Sequence, residues 1–235
     1  TLLFSSAPPP PPPPPPPLFT INVPQDCSFR QAVQRAKKSN GTIAAIRLAE
    51  GCFTIEGWYI TIDFPLQIIG AGENKTIVQG HGFWLTKPVV AGAIKQTSTG
   101  SSVLLRDFTH VGAKNLAVWV QGGLPLYMSN VTIHKSNKSG IFVSDSGQVF
   151  LDNVKVLRCG ESGVCLESNS KVVVSGPRTK VDGNCRKGSS FEYGMDLDKS
   201  TTVDIHKPLT KKGMSTNNGR NGKLNWGGSG VVLCL

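Results

Sequence analysis

The sequence predicts an all-β solenoid, a chain wound into stacked coils of about 23 residues. Three observations predict it. Charged residues make up only 17% of the 235-residue chain, glycines number 26, and the apolar positions are mostly Val, Ile and Leu. A helical period appears once, near the start, and does not recur. Mid-chain, SVLLRDFTHVGAKNLAVWV begins at Ser102, PLYMSNVTIHKSNKSGIFV at Pro125 and QVFLDNVKVLRCGESGVCL at Gln148, each 23 residues after the last.

The N-terminus is a separate element. Pro8 to Pro17 are ten consecutive prolines, which lack the N–H that a helix interior or central strand needs. They are expected to form a polyproline II rod of about 31 Å at about 3.1 Å per residue. This divides the chain into an arm, 1–19, and a solenoid domain, 20–235. Next, DCSFRQAVQRAKKSNG reads as a cap helix over about 27–39. Asp26 or Ser28 caps it, Phe29, Ala32, Val33 and Ala36 share one face, and Asn40-Gly41 stops it. Its other face (Arg30, Gln31, Gln34, Arg35, Lys38) reads as solvated surface.

Coils are expected over about 43–205. Val103, Leu126 and Val149 align, as do Leu105, Met128 and Leu151, then Phe108, Val131 and Val154. Further on, Val118, Ile141 and Val164 align, followed by Val120, Val143 and Leu166. Lys171-Val-Val-Val continues the series; after an excursion from Gly176 to Tyr193, Gly194-Met-Asp-Leu and Thr202-Val-Asp-Ile resume it. One coil cannot bury its apolar face alone, but a stack can. The remainder, about 206–235, reads as an irregular closure.

Asp107, Asn130 and Asn153 share one repeat position. Such residues tolerate a left-handed corner and bond their neighbours in the stack. With this ladder the chain resembles the right-handed parallel β-helices of the pectin-lyase-like superfamily. SFRQAVQRA followed by IAAIRLAEGCFTI is similar to that group's cap and first coil, and PLQIIGAGENKTIVQG to its second. The resemblance implies the fold over roughly Thr20 to Ile205; the architecture hosts enzymes, adhesins and scaffolds alike.

The net charge of +10 favours acidic partners, an acidic polysaccharide among them. No Lys/Arg run exceeds two residues and no stacking-aromatic motif accompanies the charge, which argues against nucleic acid. No apolar run has membrane-spanning length. Six cysteines and four Asn-x-Ser/Thr sequons point to a secreted glycoprotein, and the start at Thr1 reads as a leader already removed. Asn74, Asn137 and Asn40 are the expected glycan acceptors, whereas Asn130 is committed to its ladder. A Cys27–Cys52 bridge would pin cap to solenoid. Cys159, Cys165, Cys185 and Cys234 would form two more bridges, with three pairings open.

For catalysis, Gly80-His81-Gly82 is similar to a polygalacturonase motif, but that family's Asn-Thr-Asp, Asp-Asp and Arg-Ile-Lys motifs are missing; it reads as a turn. One alternative set remains: Glu167, Asp196 and Asp198, stacked outward beside Cys165, with Lys171, Lys199 or Arg158 to neutralise them. No cofactor is expected. The column between the first-strand core positions is Leu104, Tyr127, Phe150 and Val173, with Trp119 and Phe142 outward on the third strand. So long an apolar exterior calls for a cover: the C-terminal stretch anchored by Leu224 and Trp226, a polysaccharide, or the proline rod, touching through Pro8, Pro12 and Pro17. Polyproline II helices dock on aromatic strips because they are already stiff. The expected function is therefore a non-catalytic structural subunit of an extracellular filament, each rod docking on the next subunit. A lyase, hydrolase or carbohydrate-binding module is the alternative.

Overall fold

The structure, a computed structural model, describes residues 19–23, 28–39, 43–87, 102–188, 192–219 and 222–235. It is the expected right-handed parallel β-helix. The arm's Pro8, Pro12 and Pro17, together with Asn40 and Cys27, lie outside the described residues. Strand β1 (Phe19–Val23) precedes helix α1 (Phe29–Lys38). Ser28 caps α1: its Oγ accepts from the Gln31 N–H while the Gln31 side chain accepts from the Ser28 N–H. Phe29, Ala32, Val33 and Ala36 are buried against the first coils. The opposite face is not wholly solvated, because the Arg30 guanidinium donates to the carbonyls of Glu56 (2.6 Å) and Trp58 (2.5 Å). It clamps the turn that joins the strands Gly51–Ile55 and Ile60–Ile62.

The first coil holds β2 (Ile43–Leu48), β3 (Gly51–Ile55) and β4 (Ile60–Ile62). The second holds β5 (Leu66–Ile69), β6 (Thr76–Gly80) and β7 (Phe83–Thr86). In the third, β8 (Val103–Val111) runs through a corner and is followed by β9 (Val118–Gln121); β10 (Leu126–His134) and β11 (Ile141–Ser144) repeat the pattern. β12 (Gln148–Asp152), β13 (Lys155–Leu157) and β14 (Val164–Leu166) form the fifth coil. β15 (Lys171–Ser175), β16 (Lys180–Asp182) and β17 (Met195–Leu197) form the sixth.

Stacking is parallel throughout. Val103 pairs with Leu126 and Leu126 with Val149, the 23-residue register of the sequence. One sheet runs β1–β2–β5–β8–β10–β12–β15 and onward, and β7–β9–β11–β14–β17 stack in a second. The corner inside β8 and β10 turns on Asp107 (φ 60°) and Asn130 (φ 52°), with Asn153 (φ 53°) above them. Asn130 Nδ2 donates to Asp107 Oδ1 at 3.0 Å, the ladder the repeat implied.

Two expectations fail. The Gly176–Tyr193 excursion contains β16, which pairs with β13, so it is a coil lengthened to 31 positions, as the pairing of Val172 with Val203 shows. The stretch after 206 is not an irregular closure. After β18 (Thr202–Ile205) it forms α2 (Lys211–Met214), β19 (Ser215–Thr216), β20 (Trp226–Gly228) and β21 (Val231–Cys234), one more complete coil in register with the last. A second ladder, unforeseen, holds these long coils together. The buried amides of Asn184 and Asn218 bond at 2.9 Å, and Asn218 continues to Asn225 at 3.1 Å.

Candidate functional site

Along the outer face of the first sheet the register stacks Leu104, Tyr127, Phe150 and Val173. Alternation turns their neighbours Val103, Leu105, Leu126 and Met128 into the core, so these four face out, as expected. Tyr127 is 43% exposed. Its ring lies flat against Phe150, with centroids 4.5 Å apart and planes 6° from parallel, an offset stack that stiffens the strip. Gln67 bounds it on one side and Asp204 on the other, the latter paired with Lys171 at 2.6 Å. The C-terminal stretch does not fold over it. Trp226 stacks on Met195 at the solenoid end instead, and its indole N–H donates to the Lys211 carbonyl.

The second sheet presents a different outer column. Trp84, Trp119 and Phe142 stack in register, with the two indoles 5.1 Å apart and 18° from parallel. Trp119 and Phe142 were legible from the repeat. Trp84 was not, because 35 positions separate it from Trp119 rather than 23. The column then changes character to Cys165, then Asp196. Glu167 and Asp198 sit two positions on, and the four side chains line a 270 Å³ groove with Gly228 and Ser229.

The acidic set is therefore brought together as expected, but its expected neutralisers are not. Lys171 is engaged with Asp204, and Lys199 reaches Asp198 only through its backbone N–H, at 2.6 Å. Among the described residues no lysine or arginine forms an ion pair with Glu167, Asp196 or Asp198. Arg158 faces a different groove. Burial raises the Asp196 carboxyl above the usual range, against the Ser162 hydroxyl that donates to it at 3.3 Å. Burial, followed by Asp196 and Glu167, raises the Cys165 thiol strongly. A carboxyl whose proton is held more tightly by burial is the kind of group that general-acid chemistry uses. Among the described residues no group of three or more His, Cys, Asp or Glu side chains could hold a metal ion.

Gly80-His81-Gly82 is a packing turn. A Cβ on Gly80 would meet the Ile55 carbonyl oxygen at 2.4 Å, and one on Gly82 would meet that of Ala117 at 2.2 Å. No disulfide forms among the described residues, where Cys52, Cys159, Cys165, Cys185 and Cys234 are free; Cys27, the expected partner of Cys52, lies outside them. Cys159 points into the core while Cys165 points outward from β14, so the closest pair in sequence lies on opposite faces. Burial lifts the Cys159 thiol to about 11 and that of Cys185 to about 12, which leaves both inert at neutral pH. Of the sequons, Asn74 and Asn137 are exposed, though the Asn137 amide donates to the Lys114 carbonyl at 3.3 Å. Asn130 is held between Asp107 and the Arg178 guanidinium, 2.6 Å from its carbonyl.

Comparison with known proteins agrees with the coil geometry. A family described as the right handed beta helix region matches residues 93–233, more than half of the chain. No curated protein and no solved structure matches it. Parallel register, stacked corner ladders and this match together assign the chain to the right-handed β-helix family.

Proposed function

We propose that the protein is a secreted structural subunit of the pectin-lyase-like type, whose proline rod docks on the apolar strip of a neighbouring copy to build an extracellular filament. The observation that carries this is the strip itself: Leu104, Tyr127, Phe150 and Val173 in unbroken register, with the Tyr127–Phe150 stack at its centre. A rod of about 31 Å covers about six rungs at about 4.8 Å each, more than the four that the strip occupies. Leu18 alone separates Pro17 from β1. Head-to-tail contacts of this kind propagate as open filaments. The proline block is also similar to those of hydroxyproline-rich cell-wall glycoproteins, which accords with an extracellular scaffold carrying glycans on Asn74. Electron microscopy of the full chain and of a chain lacking residues 1–18 tests the reading: filaments are expected from the first only, and fibres unchanged by the deletion would refute the linking role.

A second reading has its own support. The aromatic column Trp84–Trp119–Phe142 leads directly to Cys165 and Asp196, so a sugar chain stacked on the rings would place a glycosidic bond near Glu167, Asp196 and Asp198. Cleavage of acidic polysaccharides by the full chain, abolished by Asp196→Asn, would establish this in place of the scaffold.

A further inference from the structure

A second groove, of 590 Å³, lies at the corner that follows β8, β10, β13 and β16, away from both faces described above. Its walls carry Lys114, Lys135, Arg158, Arg186 and Lys187. The fold places them there by register. Val111 pairs with His134, and His134 with Leu157, so Gly112, Lys135 and Arg158 stack at one corner. Lys135 (φ 59°) and Arg158 (φ 54°) both adopt the left-handed backbone that turns the chain there. On the facing wall, the Lys187 N–H donates to the Gly160 carbonyl at 2.9 Å, and Gly160 N–H to that of Ser136 at 2.8 Å. Gly160 is without a side chain where a Cβ would crowd the Asn137 carbonyl at 2.2 Å and Lys187 Cε at 3.1 Å. The floor is therefore kept low.

The charges are nearly uncompensated. Glu161 lies 3.6 Å from Lys187, but among the described residues no carboxylate forms an ion pair with Lys114, Lys135, Arg158 or Arg186. Like charges on adjacent rungs repel, and a concave site lined by one sign focuses its field on an incoming counter-charge. His134 registers that field. Burial first, then Lys135, Arg158 and Arg186, hold its imidazole below the usual range.

We infer that this groove is a binding site for a sulfated polysaccharide. A linear ligand follows from the cations' arrangement along the coil axis. The four rungs span about 14 Å at about 4.8 Å per step, room for about three sugars. A polyuronate would bring one carboxylate per sugar, fewer than the four unpaired cations; a densely sulfated chain, with more than one charge per sugar, matches them and reaches both walls. No aromatic side chain lines the groove, so it lacks the platforms on which unpaired nucleobases stack. The inference is independent of the rod and of the acidic set.

The test uses the full chain, with Asn137 shown unglycosylated by mass analysis because a glycan there would occupy the rim. Dextran sulfate, polygalacturonate and a single-stranded oligonucleotide are titrated against it at several salt concentrations. Dextran sulfate is expected to bind most tightly, with affinity falling steeply as salt rises. The variant Lys135→Asn/Arg158→Asn/Arg186→Gln keeps residues that accept the left-handed corner and is expected to lose about fivefold for each charge removed. A control, Lys38→Gln/Lys199→Gln/Lys212→Gln, removes the same charge from exposed sites elsewhere and is expected to bind as the parent does. Equal losses in the two variants, equal affinity for polygalacturonate or the oligonucleotide, or no binding of dextran sulfate would each overturn the inference.

Discussion

His110 is enclosed within the solenoid with one polar partner: its Nε2 lies 2.9 Å from the His81 carbonyl, and its Nδ1 has none. Burial disfavours the imidazolium and lowers the pKa to about 4, against the carbonyl, which works the other way. A histidine depressed in the fold contributes stability above its unfolded value, near 6.5, and loses it as pH falls through the folded one. Stability should therefore decline by up to about 3 kcal/mol between pH 6.5 and 4, with His81 and His134, also lowered, adding in the same direction. Urea midpoints at pH 7, 5.5 and 4 measure this, and His110→Leu should flatten the decline; an unchanged slope would show that His110 takes up its proton as readily in the fold as in the unfolded chain. This residue was not legible in the sequence. The left-handed corner at Asp107 resets the in–out alternation of β8, so a period-two reading begun at Val103 does not carry through to His110. Asp107, Asn130 and Asn153 were legible because 23 residues separate each from the next, whereas Asn184 and Asn218, 34 apart, were hidden by the lengthened coils.

At the scale of elements, the turn joining β5 to β6 acts as a clasp across the stack. Glu73 accepts from the Thr132 hydroxyl of β10 and from Lys155 Nζ of β13 at 2.7 Å, and lies 3.5 Å from Arg178. The Thr109 hydroxyl of β8 donates to its backbone carbonyl. Burial works to raise the Glu73 carboxyl, but the hydrogen bonds from Lys155 and Thr132 and the charges of Lys155 and Arg178 outweigh it and hold it low. Its contribution is thus present at neutral pH and lost as acid protonates it through that lowered value. Glu73→Ala should cost about 2–3 kcal/mol by leaving Lys155 and Thr132 without their acceptor. Glu73→Gln, which keeps an oxygen for Thr132, should cost less, and chemical denaturation at pH 7 ranks the two; equal losses would show that the negative charge is what the clasp uses. The elements themselves were unequally legible. Helix α1 declared itself through one apolar face and its Ser28 cap, and β8 to β15 through their fixed period. The last coil did not, because its strands are two to four residues long and separated by Gly- and Asn-rich turns of unequal length.

The whole molecule is a stack in which each coil is stabilised by its neighbours, so a surface change that leaves the core columns intact should leave the fold intact. Tyr127 is such a position: its backbone belongs to the ladder, while its ring lies outside. Tyr127→Lys places a charge in the middle of the apolar strip and should change stability by only about 0.5 kcal/mol, yet it should remove the surface that a proline rod requires. Deleting residues 1–18 removes the rod and spares the strip. If rods dock between copies, each altered chain alone should sediment as a monomer, at concentrations where the full chain forms long assemblies. Mixed, the two should recover one contact, the rod of the Tyr127→Lys chain docking on the strip of the shortened chain. That contact cannot propagate, because the first partner has no strip and the second no rod; the mixture should stop at a 1:1 dimer. A strap within one chain predicts the opposite, with no dimer on mixing and a lower melting temperature for the deletion alone. Sedimentation velocity of the two chains, separately and mixed, distinguishes these outcomes, and a mixture that stays monomeric would rule out a filament built through the rod.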